Sequence, residues 1–186
     1  MIPGQLIGQI LLYAILPLWL ATGFADYLCH RASAIERTSG PRESLMHLLQ
    51  FSEVGFALLV VLFLEINAAA LLVTIACVAV HEATAIWDVR YANATRTVLP
   101  VEQHVHGLLE NLPFAGLLLI ALLHWPSVVQ MVHGTGWFDY RLKAEPMPIR
   151  VVAVVLGGAI VFGVIPYLEE LFRTLRATRR SASAVS

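Results

Sequence analysis

Apolar residues in this chain gather into long blocks instead of short alternating stripes. Five blocks, at roughly 5–25, 45–65, 67–88, 106–124 and 149–168, come close to the about 20 apolar residues that a helix needs to cross a bilayer core. The pattern predicts an all-α integral membrane protein with about five transmembrane helices, forming a single domain over 1–172. The fourth block is interrupted in its first turns by Glu110, Asn111 and Pro113. Pro100 offers an earlier start, which would make 100–124 one long helix projecting beyond the bilayer. The first block lacks the basic leader and small-residue cleavage site of a secretory signal, so it is expected to remain as a span. The segment 173–186, "RTLRATRRSASAVS", is basic, small and polar, and predicts a disordered tail.

Composition agrees with the pattern. Of 186 residues, 58% are hydrophobic and only 13% charged, where a soluble domain carries about a quarter charged residues. The formal net charge of -1, with no basic aromatic-rich patch, gives no sign of a nucleic-acid partner. Cys29 and Cys77 are isolated in apolar blocks and form no CxxC pair, so they read as buried thiols.

Charge placement orients the chain. Arg31, Arg37, Arg42, Arg90, Arg96, Arg173, Arg176, Arg179 and Arg180 fall on the side reached at the end of the first span. Arg141, Lys143 and Arg150 fall on the other. The positive-inside rule then predicts an inner- or plasma-membrane protein with its N-terminus outside and its C-terminus cytoplasmic. Trp125, Trp137 and Tyr140, in the long outer loop, stand where an interfacial aromatic belt is expected.

With that topology, the ionisable residues of the first four spans collect at one membrane side. Span one ends "DYLCHR", span two begins "ESLMHLLQFSE", span three ends "HEATAIWD" and span four begins "EQHVHGLLE". At about 100° per residue, positions i, i+4 and i+7 share a helix face. Asp26 and His30, Glu43 and His47, His81 and Asp88, and Glu102, His106 and Glu110 all obey that spacing, and Glu53 lies further round its helix. Glu82 stands about 100° from His81, and His104 about 200° from Glu102, which turns both away from the stripes. A four-helix bundle with a metal site at its cytoplasmic side follows. Its candidate ligands are Asp26, His30, His47, Glu53, His81, Asp88, Glu102, His106 and Glu110, with Glu43, Glu82 and His104 as additional candidates. Mixed imidazole and carboxylate ligands suit iron, manganese or zinc, and their number exceeds what one tetrahedral zinc needs. Two metal ions, iron first and zinc as the alternative, are expected.

These residues resemble the integral-membrane histidine-rich di-iron enzymes, such as fatty-acid hydroxylases and desaturases, which also cluster ligands on the cytoplasmic ends of their spans. The resemblance covers 26–110. The HxxxH and HxxHH boxes of those enzymes are absent, and His104-Val105-His106 is the nearest element. The carboxylate-rich mix is closer to a ferritin-type site. The resemblance implies an O2-dependent hydroxylation or desaturation of a lipid-like substrate taken from the bilayer. Arg31, Arg42, Arg90 and Arg96 are then candidates for holding an anionic headgroup or an electron-donor protein at the cytoplasmic face. A zinc-dependent lipid hydrolase, a metal or proton carrier, and a haem-binding electron carrier are the competing readings.

Taken singly, several of these residues have plainer explanations. Glu43 and Glu102 sit in first turns after Pro41 and Pro100, where a carboxylate favours the helix dipole. Asp26, His30 and Asp88 lie close to the interface, where hydrated ion pairs are ordinary. His81, Glu82, Glu53, His106 and Glu110 lie at depths where an unpaired ionisable group is costly. The coincidence of side, spacing and residue type carries the metal reading.

Overall fold

With no water in a bilayer core to take up their N–H and C=O groups, long apolar segments close these bonds internally and become helices. The computed structural model describes residues 3–135 and 139–183. Among these, helices α1 (Pro3–Ile10) and α2 (Leu16–Ala32) are joined by a π turn at Leu11–Ile15 into one span. Helices α3 (Pro41–Phe63), α4 (Ala68–Thr95) and α5 (Pro100–Leu123) each make a further span. A short α6 (Trp125–His133) follows. Helices α7 (Ile149–Ala159) and α8 (Ile165–Ser183) are joined by a second π turn, Ile160–Val164. Five helices are thus long and apolar enough to cross a membrane.

Local sequence sets the helix starts. Pro41 and Pro100 open α3 and α5, where the missing N–H is no loss. Asn67 caps α4 by accepting the Ala70 N–H at 3.1 Å. The turn before α3 needs Gly40, whose φ of +70° lies in the left-handed region.

Close contacts at glycines report the antiparallel register of the first and fourth spans. A Cβ on Gly4 would lie 3.3 Å from Leu123, one on Gly116 would lie 3.7 Å from Ile15, and one on Gly23 would lie 3.9 Å from Leu109. As numbers rise along α1 and α2 they fall along α5. The start of α5 therefore lies beside the end of α2, and the polar ends of the two helices meet.

The helices run past the apolar blocks at that end. The first span reaches Ala32 instead of stopping near 25, α3 starts at Pro41, α4 continues to Thr95, and α5 starts at Pro100. The fifth span also continues well beyond 168. The segment from 173, expected from its composition to be a disordered tail, is helical as far as Ser183. Its first turns have packing partners: Thr174 is fully buried, and Arg173 forms an ion pair with Glu36 of the short 3-10 turn Ile35–Arg37. Ala184 to Ser186 lie outside the described residues.

At the opposite end, the long loop is stitched to the bundle. Lys143 donates to the Val61 carbonyl at 2.7 Å, Asn67 to the Asp139 carbonyl at 2.7 Å, and Ser127 to that of Ile66 at 2.9 Å. Trp125 and Tyr140 are exposed there, and Trp137 lies outside the described residues.

The tightest approach in the bundle is at Gly163, in the second π turn. A Cβ there would collide with the Phe51 ring, which is flanked by Trp19 and Tyr167 at centroid distances of 5.6 and 5.8 Å. Gly163→Ala must displace that ring and is expected to cost roughly 1–3 kcal/mol. Gly157→Ala meets nothing within 4 Å and should be neutral or slightly stabilising. Thermal unfolding of both detergent-solubilised variants checks this, and equal midpoints would contradict the packing described.

Candidate metal centre

Five helices deliver acids and imidazoles to one buried cluster. Asp26 and His30 come from the last turns of α2, Glu43 and His47 from the first turns of α3, Asp88 from α4, and Glu102 and His106 from the start of α5. Glu170 comes from α8. Asp26, His30, Glu43, His47, Asp88, Glu102 and Glu170 are each at most 4% exposed. His106 is half-buried.

Glu170 stands at the back of the cluster. One of its oxygens accepts the Nδ1–H of His30 at 2.9 Å and the other accepts that of His47 at 2.7 Å. The two rings stack with centroids 4.1 Å apart and planes within 9° of parallel. A carboxylate on Nδ1 fixes the tautomer and turns Nε2 to the far side, the usual support behind a metal-ligating histidine.

The far side is where the remaining groups converge. His30 Nε2 lies 3.3 Å from Asp26 Oδ1 and 3.5 Å from Glu102 Oε1. His106 Nε2 lies 2.9 Å from the same Asp26 oxygen. His47 Nε2 lies 3.3 Å from Asp88 Oδ2 and 3.9 Å from Glu43 Oε1. Despite these short separations, Nε2 of His30, His47 and His106, and Oδ1 of Asp26 and Asp88, are buried without a hydrogen bond among the described residues. The three Nε2 atoms lie near the facing carboxylates but are misaligned for N–H···O bonding. Two ligand atoms each about 2.1 Å from one ion, at angles between square and tetrahedral, stand about 3.0–3.4 Å apart. Of the observed separations, His30–Asp26 and His47–Asp88 fall in that window, His106–Asp26 and His30–Glu102 lie within about 0.1 Å of it, and His47–Glu43 is longer. Two ligand groups emerge, Asp26 with His30 and His106, and His30 with Glu43 and His47.

Arg96, just past the end of α4, is buried against the cluster. Its guanidinium donates to Glu43 at 2.5 and 3.1 Å and to Glu102 at 3.0 Å, and Nη2 also pairs with Glu102 Oε1. Burial opposes its charge, but the bonds to Glu102 and Glu43 outweigh burial and raise its pKa further above the usual arginine value. Arg96 therefore does not face lipid headgroups, as its loop position suggested. The chain turns inward there because two buried carboxylates need a cation.

A second polar cluster lies deeper. His81 is 3% exposed, with Nδ1 3.9 Å from Glu53 Oε2, and neither ring nitrogen has a partner among the described residues. Thr84 donates to the other Glu53 oxygen at 2.9 Å. A cavity of about 40 Å³ lies between the clusters, lined by Asp26, His47, Asp88 and His106 on one side and by His81 and Glu110 on another. That volume holds a small hydrated group. His81 and Glu110 thus border the cavity without joining the ligand groups, while Glu53 and the half-buried Glu82 belong to neither the lining nor the ligand groups.

The remaining candidates lie outside. His104 is exposed, with Nδ1 bonded to the Pro100 carbonyl at 2.8 Å, as its 200° offset implied. Arg31 bonds Tyr27 at 2.9 Å and Glu169 at 3.4 Å. Arg42 covers the rings of Trp87 and Tyr91. Arg90 is exposed on the surface of α4.

Sequence reasoning did not pick out Glu170, Tyr167 or Gln50. Gln50 donates to Asp88 at 3.1 Å, and Tyr167 lines the cavity. The available signal for Glu170 was the rule already applied to the other spans, that the polar end of each carries an acid. "PYLEELF" satisfies it. Comparison with protein-family models, with curated proteins and with solved structures finds no match.

Arg96→Ala would leave Glu43 and Glu102 buried beside one another without a cation, a loss of the kind that costs roughly 3–5 kcal/mol. A large fall in thermal midpoint is expected, with much of it recovered when Glu43→Gln and Glu102→Gln are added. An Arg96→Ala protein that melts like the parent would contradict this.

Proposed function

We propose that the protein is a membrane-embedded oxidoreductase that holds two metal ions, iron in the working enzyme, and oxidises a lipid-like substrate with O2. The observation that carries the reading is the convergence of three imidazole Nε2 atoms and two aspartates on one side, with Glu170 fixing His30 and His47 from the other. Charge supports two ions over one. Asp26, Glu43, Asp88, Glu102 and Glu170 bring five carboxylates, and among the described residues Arg96 is the one guanidinium bonded to them, leaving four negative charges. Two divalent ions balance that sum.

Protonating the histidines is the competing way to balance it. The stacking of His30 on His47 opposes that, since two cations about 4 Å apart repel by about 4 kcal/mol at an effective dielectric of 20, while the carboxylates 2.7–3.5 Å from each ring favour it; metal content therefore decides between the two. In the proposed centre, Asp26, His30 and His106 hold one ion, and His47 with Asp88 and Glu43 holds the other. Glu102 stands at the edge of the first group and Glu170 positions both. This carboxylate-rich set is of the ferritin kind, carried into a membrane bundle like those of the fatty-acid hydroxylases and desaturases.

When bound, a reduced iron pair supplies the redox chemistry that activates O2. Hydroxylation then converts a C–H bond, O2, two electrons and two protons into an alcohol and water. The chain's own groups serve the rest of the task. Trp19, Leu20, Phe51 and Phe162 wall the cavity with apolar surface and exclude bulk water. His81 and Glu110 face the same cavity and are placed to hand over protons. The arginine asymmetry supports a cytoplasmic placement of this end of the bundle. There, Arg37, Arg176 and Arg180 line a groove that also holds Glu36 and Glu169, both paired with Arg173, and the three other arginines would meet an acidic electron-donor protein.

Elemental analysis of the purified chain after anaerobic reconstitution, with absorption spectra in air and after reduction, tests the reading. About two iron per chain are expected. Iron well below one per chain removes it, and a single tightly held zinc with O2-independent hydrolysis would replace it with a zinc hydrolase. Glu170→Gln should keep the stoichiometry and weaken metal binding about 10–100-fold, while His104→Ala should change neither.

A further inference from the structure

Above the metal-side cavity the bundle holds a second one, of about 260 Å³, between the first, second, third and fourth spans. Its wall is apolar along its length, with Leu12, Ile15, Leu58, Val78, Leu112 and Ile120 as contributors. On α5 the lining runs from Leu112 to Leu123, about 16 Å at 1.5 Å per residue. The first π turn contributes Leu11, Leu12 and Ile15. Such turns recur at functional sites because they widen a helix and redirect its side chains.

The two ends of this cavity differ. At one end it stops on Trp19, which also lines the metal-side cavity. The Trp19 ring stacks on Phe51 at 5.6 Å, and its buried N–H has no partner among the described residues, so no polar anchor holds this wall in place. At the other end stand His124 and Lys143. The Lys143 ammonium donates to the Val61 carbonyl at 2.7 Å and to no carboxylate among the described residues, which leaves donors to spare. Burial pushes Lys143 toward its neutral form, with Glu65 opposing, and an anion beside it would favour the charge.

We propose that this cavity binds a single-chain amphiphile with an anionic head, carboxylate or phosphate. The head sits at Lys143 and the end of the chain meets Trp19. An apolar passage needs no half-buried cation for a neutral hydrocarbon, whereas an anionic head at its outer mouth does. The binding site stands by itself. That the chain end is thereby offered to the metal centre rests on the function proposed above, with Trp19 as the wall between the two cavities.

Equilibrium binding of radiolabelled dodecanoate, dodecyl phosphate and dodecanol to the full chain in zwitterionic nanodiscs tests this. The anionic probes should saturate near one per chain, and their order of affinity tells a fatty-acid-like head from a phosphate head. Lys143→Met should weaken both at least tenfold and leave dodecanol unchanged, while Lys143→Arg retains binding. Gly116→Leu, which narrows the passage beside Ile15, should weaken all three. Dodecanoate with a terminal diazirine should label the peptide containing Trp19 and not the one containing Met147. Equal binding of dodecanol and dodecanoate with no effect of Lys143→Met, or labelling at Met147, overturns the proposal. His47→Ala should leave this binding intact, so loss of the metal reading and loss of the amphiphile site are separately visible.

Discussion

The structure turns on a buried excess of negative charge. Five carboxylates meet at one end of an apolar bundle, and their protein-supplied counter-charge is Arg96 and whatever protons three histidines carry. Moving ions out of water costs several kcal/mol each unless partners and hydrogen bonds compensate. Every helix that enters the cluster therefore has its end fixed by it. Arg96 draws the chain after α4 inward onto Glu43 and Glu102, and Glu170 ties α8 to α2 and α3 through two imidazoles.

The rest of the bundle serves to bring those ends to one level. Antiparallel packing of the first span on α5 sets Gly4 against Leu123 and Gly23 against Leu109, so the register is read through close contacts at glycine. Two π turns interrupt otherwise continuous spans where cavities need walls. Leu11–Ile15 borders the apolar cavity, and Ile160–Val164 places Phe162 and Gly163 beside the metal-side one. A regular helix at either place would redirect these side chains.

The five spans were legible because an apolar block in this chain has one structural solution. Asp26 with His30, Glu43 with His47, and Glu102 with His106 were legible because i, i+4 spacing puts both members on one face. Glu170 was not, because the i, i+4 pairing of acid with histidine that marks the other spans is absent from "PYLEELF". Arg96 read as a surface cation, since spacing cannot show that a loop folds inward. For His81 and Glu53, periodicity does not tell which neighbour each faces. Glu53 accepts from Thr84 and lies 3.9 Å from His81, whose ring borders the cavity. Packing between helices decides such choices, and it is invisible in a single helix's pattern.

The central claim is that two ions lie between the Nε2 atoms of His30, His47 and His106 and the carboxylates facing them. Anomalous diffraction at the iron edge on crystals of the reconstituted protein tests it directly. The account predicts two peaks about 3.5–4 Å apart, on the side of His30 and His47 away from Glu170, with Asp26 and Asp88 in contact. No peak at that position, or metal bound instead at His124 or His133, would contradict it.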